Sequence, residues 1–98
     1  MVAGLLFGIS GIFAFDAEDL HDLLGYTIVG ESHVSDTFEG ADFDKAVQLD
    51  NGMVFIFHTY HYTYAYRPEV IICASAVGSS YAYKLVIKDY IYSVTRVR

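Results

Sequence analysis

The chain has no tryptophan, one cysteine, one proline and no basic side chain before Lys45. The lone Cys73 excludes an intramolecular disulfide framework and any Cys-x-x-Cys redox or zinc motif. Within the run Val70-Ile71-Ile72-Cys73-Ala74 it reads as a small buried hydrophobe rather than a reactive thiol. The six Lys and Arg are too few and too scattered to replace the counterions of a phosphate backbone, so nucleic acid is excluded as an expected ligand. No apolar run reaches the ~20 residues that a transmembrane helix takes, so the mature chain is expected to have no transmembrane span. Also missing are a phosphate-cradling P-loop, a Gly-x-Ser-x-Gly elbow and the twelve-residue calcium loop with its terminal Glu. No cofactor or metal is therefore expected.

What the chain does have is hydrophobicity and aromatic rings. Hydrophobic residues make up 54% of 98 positions, only 18% are charged, and nine Tyr and seven Phe point to β structure. A chain of this length builds one modest core and buries roughly 60% of its unfolded surface. The net charge of −6 is unevenly divided. Nine acids precede Lys45, giving −9, and the remainder carries +3, so the halves can neutralise each other on folding.

Residues 1–15 carry no charged side chain, and residues 2–14 have the length of a signal-peptide apolar region. No basic residue precedes it, which departs from the usual leader, but Gly4, Gly8 and Gly11 weaken the alternative of a buried strand. The expectation is a leader over residues 1–14 and a single domain over 15–98, directed to the periplasm or secreted. A cytoplasmic location is the alternative. Next, Asp16 can cap two turns of amphipathic helix with Leu20, Leu23 and Leu24 on one face and Gly25 at the C′ position.

From Gly25 onward the period changes to that of strands. Residues 26–29 predict a strand, and 31–44 an acidic loop or irregular edge strand. Residues 45–49 and 53–57 flank Asp50-Asn51-Gly52, the chemistry of a three-residue hairpin loop with Gly in the left-handed position. Arg67-Pro68-Glu69 separates a long tyrosine-rich strand from residues 70–74, Gly78-Ser79-Ser80 turns the chain into 81–87, and Lys88-Asp89 leads into 90–97. This spacing predicts a mostly β fold, a small antiparallel meander or partly open barrel of the SH3-like or OB-like kind, with one short N-terminal helix.

The segment His58-Thr59-Tyr60-His61-Tyr62-Thr63-Tyr64-Ala65-Tyr66 is the most unusual. In an extended strand Tyr60, Tyr62, Tyr64 and Tyr66 share one face, and Thr59, His61, Thr63 and Ala65 the other. The four rings either fill a thin barrel core or form a platform that stacks on sugars, bases or partner side chains. A bend or bulge would split them between faces. His58 and His61, three apart, point to opposite sides, which is awkward for a shared metal. Glu31, Asp36, Glu39, Asp42 and Asp44 form an acidic stretch in which Asp42-Phe43-Asp44 sets two carboxylates on one side of an extended segment. Solvated loop charges are the ordinary reading, and recruitment of a basic partner the functional one.

Phe38-Glu39-Gly40-Ala41-Asp42-Phe43-Asp44-Lys45, Leu49-Asp50-Asn51-Gly52-Met53 and Tyr62-Thr63-Tyr64-Ala65-Tyr66-Arg67-Pro68 resemble a group of small uncharacterised exported bacterial proteins. The resemblance implies export and a compact β fold and carries no activity. The expected function is an exported, non-enzymatic module that binds a protein or glycan. Candidate contacts are Tyr60, Tyr62, Tyr64, Tyr66 and His61 on the tyrosine strand, and Glu39, Asp42 and Asp44 in the acidic loop. The alternatives are a cytosolic acidic inhibitor or decoy, and a small hydrolase built on carboxylates with His58 or His61.

Overall fold

A computed structural model describes residues 17–98. It begins with a single α-helical turn, α1 (Ala17–Leu20), and a 3-10 turn (His21–Leu23). The expected short N-terminal helix is thus present, its described part being this α turn continued by the 3-10 turn; none of these residues is buried, and Leu20 and Leu24 are exposed. Asp16 and the leader lie outside the described residues.

Eight strands follow: β1 (Thr27–His33), β2 (Thr37–Ala41), β3 (Ala46–Gln48), β4 (Val54–Phe57), β5 (His61–Tyr66), β6 (Glu69–Val77), β7 (Ser80–Ile87) and β8 (Tyr90–Arg96). Six form a curled antiparallel half-barrel in the order β1-β6-β7-β8-β4-β3, and β2 with β5 forms a small second sheet. The mostly β, partly open architecture matches the sequence expectation. Only β6-β7-β8 is a meander, since the sheet gains β1 and β4 through non-consecutive pairings.

Turn chemistry sets the hairpins. Gly52 takes φ +91°, and the Gly52 and Leu49 amides donate to the Leu49 and Met53 carbonyls at 2.9 Å each, closing the predicted β3–β4 hairpin. Gly78-Ser79 joins β6 to β7, and Lys88-Asp89 joins β7 to β8, where Lys88 has a positive φ of 57°.

Residues 31–44 are more regular than expected. The exposed acids hide an alternation in which Glu31 and His33 are exposed while Ser32 and Val34 are buried, which is the signature of a half-buried strand. β6 is buried on both faces, with Val70, Ile72 and Ala74 inward and Cys73 outward, all buried. Over that outer face Lys84, the β7 partner of Cys73, donates to the Asp22 carbonyl at 2.5 Å and lies over the Tyr26 ring. Burial pushes the Cys73 thiol above its usual pKa, with Lys84 partly opposing, so it is a packing residue as read from sequence.

The barrel closes at one corner. Val34 and Leu49 bridge the two edges of the six-stranded sheet, the Asp50 amide donates to the His33 carbonyl at 2.8 Å, and the Ser35 amide donates to the Gln48 carbonyl at 3.1 Å. Phe55, Phe57, Leu85, Ile87 and Tyr92 fill the interior, each 0–1% exposed.

Candidate functional site

The small sheet turns one side to the core and the other to water. On its inner side Phe38 packs against Phe57 and edge-on against Tyr92, while His61 stacks on Tyr90 with ring centres 3.7 Å apart. The Nδ1 atom of His61 lies 2.9 Å from the Tyr92 hydroxyl. Burial, joined by the neighbouring Tyr90 and Asp89, pushes the Tyr92 pKa up to about 12. Tyr92 therefore stays a neutral phenol at physiological pH.

This inner anchoring fixes the phase of β5. With His61, Thr63 and Ala65 half-buried, the alternate positions must face solvent. Tyr60, Tyr62, Tyr64 and Tyr66 are 63%, 67%, 61% and 72% exposed. The rings therefore lie outside the core. The long strand does break, at residues 58–60, so Tyr62, Tyr64 and Tyr66 alternate along β5 while Tyr60 lies just before it. At ~3.3 Å per residue, alternate rings stand ~6.6 Å apart. Among the described residues none of the four has a ring, cation or hydrogen-bond partner.

Beside this row runs β2. Thr37 pairs with Tyr66 and Gly40 with Tyr62, and a bulge between Phe38 and Gly40 sets Glu39 across from residues 63 and 64. Glu39 is exposed between two buried neighbours, so its carboxylate lies on the tyrosine side. Gly40 lets β5 come this close. A Cβ there would sit 2.0 Å from the His61 carbonyl oxygen and 2.9 Å from Tyr62 Cα.

The remaining predicted contacts separate. His61 belongs to the inner face. Asp42 and Asp44 are exposed but lie in a turn, where Asp44 has φ +64° and the Lys45 amide donates to the Asp42 carbonyl. The extended geometry that would align their carboxylates is therefore absent. Asp50 is paired with Arg67. Glu69 is hydrogen-bonded to Glu31, which raises its pKa, and partial desolvation adds to the effect while His33 opposes it. His58 lies against the Thr95 hydroxyl, farther along β8 than His61's partners Tyr90 and Tyr92. Among the described residues no cluster of three or more His, Cys, Asp or Glu side chains could hold a metal ion, and no helix is long and apolar enough to cross a membrane.

Sequence reasoning missed the His61–Tyr92–Tyr90 cluster. Tyr90 and Tyr92 are separated by one residue in an alternating strand, but nothing local says which phase faces in. Comparison with family models, with curated proteins and with solved structures gives no significant match.

Proposed function

We propose that the protein is an exported, non-catalytic β module that binds an extended glycan chain or protein segment along the tyrosine face of β5. One observation carries the reading: Tyr62, Tyr64 and Tyr66 in a row on β5, with Tyr60 just before it, are each more than 60% exposed and have no ring, cation or side-chain hydrogen-bond partner among the described residues. Folded proteins rarely leave such contiguous apolar surface to water without use. Tyrosine suits the role because its ring offers stacking area at low entropic cost and its hydroxyl offers a hydrogen bond. Glu39 and Thr37 on β2 add an acceptor and a hydroxyl beside the row. The carboxylate and the net charge of −6 favour a neutral or cationic partner over an anionic one. Export rests on the uncharged apolar segment 1–15 and on the resemblance noted above.

The test is an NMR titration of the isotope-labelled protein with neutral β-linked oligosaccharides and with extended peptides. Saturable shifts confined to β2 and β5, abolished in Tyr62→Ala/Tyr64→Ala, are expected from one class of probe. Shifts that persist in the double variant would remove the tyrosine face from the reading. Export is read from the N-terminal residue of the protein in its host, expected near Phe15. An intact Met1 confined to cytosol would overturn it.

A further inference from the structure

The half-barrel opens at the end opposite the small sheet. β1 and the β3–β4 hairpin meet at Val34 and Leu49 and then diverge. Between them lies a cavity of about 370 Å³, walled by Val29 and Gly30 on one side and Asn51 and Met53 on the other. Its floor is the inner face of β6, β7 and β8, including Ile72, Tyr83 and Arg96. Barrel mouths are favoured ligand sites, and this volume falls in the usual range of roughly 300 to 1,000 Å³.

Strand alternation shows what is odd about the floor. On β7 the inward residues run from Ile87 and Leu85, both 0% exposed, through half-buried Tyr83 to Tyr81, which is 64% exposed. On β8 they run Tyr90, Tyr92, Val94, Arg96, so the last inward position holds a guanidinium where the two before it hold buried core residues. Arg96 is opposite the buried Phe55, which confirms its phase. An inward charge can protect an unpaired sheet edge, but β8 is an interior strand between β7 and β4, and Arg96 is itself paired with Phe55 of β4. Among the described residues Arg96 has no hydrogen-bond or ion-pair partner, although the chain carries twelve Asp and Glu.

We propose that the barrel mouth is a binding site for a small carboxylic acid with an apolar body, its carboxylate held by Arg96 and its body lying over Ile72 between Met53, Val29 and Tyr83. A guanidinium presents a planar fork that matches one carboxylate in a bidentate pair. The single cation suits a monoanion better than a phosphate dianion. Apart from Asn51, apolar and aromatic side chains line the rest of the walls, so a purely polar acid leaves them wet, and an uncharged apolar molecule leaves the fork unused. The site is distinct from the tyrosine row: Arg96 ends β8, whereas Tyr90 and Tyr92 at its start carry the small sheet.

The experiment titrates the isotope-labelled protein with octanoate and, separately, with 1-octanol, each below its micellar or solubility limit. Octanoate is expected to shift the amides of Gly30, Ile72 and Arg96 saturably and to bind at least fivefold more tightly than the alcohol. Arg96→Gln, at an exposed position, should erase that preference. Gly30→Leu directs its side chain at Ile72, whose Cδ1 lies 3.5 Å from a Cβ built at residue 30, and should weaken both probes about tenfold. Melting curves of both variants are recorded first, and if Gly30→Leu unfolds, Arg96→Gln alone decides. Equal binding of acid and alcohol to the wild type, an undiminished preference in Arg96→Gln, or shifts mapping away from the mouth would each overturn the proposal.

Discussion

At the residue scale, Gly40 and Gly52 both have positive φ, at 95° and 91°, but for different reasons. Gly52 is open to solvent, with nothing within 4 Å of a built Cβ, so its substitution costs only the left-handed conformation. Gly52→Val is expected to lose roughly 1 to 2 kcal/mol in urea unfolding. Gly40→Ala meets backbone at 2.0 Å, which no rotamer relieves. It should lose clearly more than Gly52→Val and separate β2 from β5, visible as loss of amide protection in both strands. A Gly40→Ala variant as stable as wild type would sink this account of the close approach.

Tyr92 gives a pH signature. Its folded pKa of about 12 lies above the ordinary 10, so burial favours the protonated phenol. That contribution is fully present below pH 10 and is lost as pH rises through about 12. Base titration followed by circular dichroism should therefore show stability falling across that window. Tyr92→Phe should flatten the fall and, by leaving His61 Nδ1 without its partner, lower neutral-pH stability by about 1 kcal/mol. An unchanged alkaline profile in the variant would assign the fall to other groups.

At the scale of the element, β5 is held from within and bare outside. Tyr62→Ala and Tyr64→Ala are each expected to change stability by less than about 1 kcal/mol, because their rings are more than 60% exposed. Core tyrosines would lose about 3 kcal/mol or more. Thermal melts of the single variants separate the two, and large losses at both positions would end the binding-face reading. The same strand has an aggregation liability, since residues 53–66 contain no Asp, Glu, Lys or Arg. Asp50 and Arg67 bracket that window and pair with each other, so charges flank the segment where none lies within it.

For the whole molecule, closure depends on one corner. Leu49, 1% exposed, bridges Val34 and lies where the two edges of the large sheet meet. Leu49→Ala should cost about 2 to 5 kcal/mol through lost burial and a cavity, measured by equilibrium unfolding. It should also raise hydrogen exchange in both β1 and β3, which a defect confined to one strand would not do.

Several features were decided by the sequence itself because they rest on short-range chemistry. Asp50-Asn51-Gly52 specified its hairpin through the one residue free to take positive φ there. Arg67-Pro68 ended β5, Gly78-Ser79 turned β6 into β7, and the apolar run around Cys73 identified that residue as a small buried hydrophobe. Alternation also sorted Tyr60, Tyr62, Tyr64 and Tyr66 onto one side and His61 onto the other. Which side was the core is a different matter, because a period of two has two equivalent phases. Only the docking of His61 on Tyr90 and Tyr92, and of Phe38 on Phe57, fixed that phase and left the tyrosines in water. The same ambiguity hid Arg96, whose inward position depends on its pairing with Phe55, 41 residues earlier in the chain. Local sequence sets which residues share a face, and long-range strand pairing sets what that face meets.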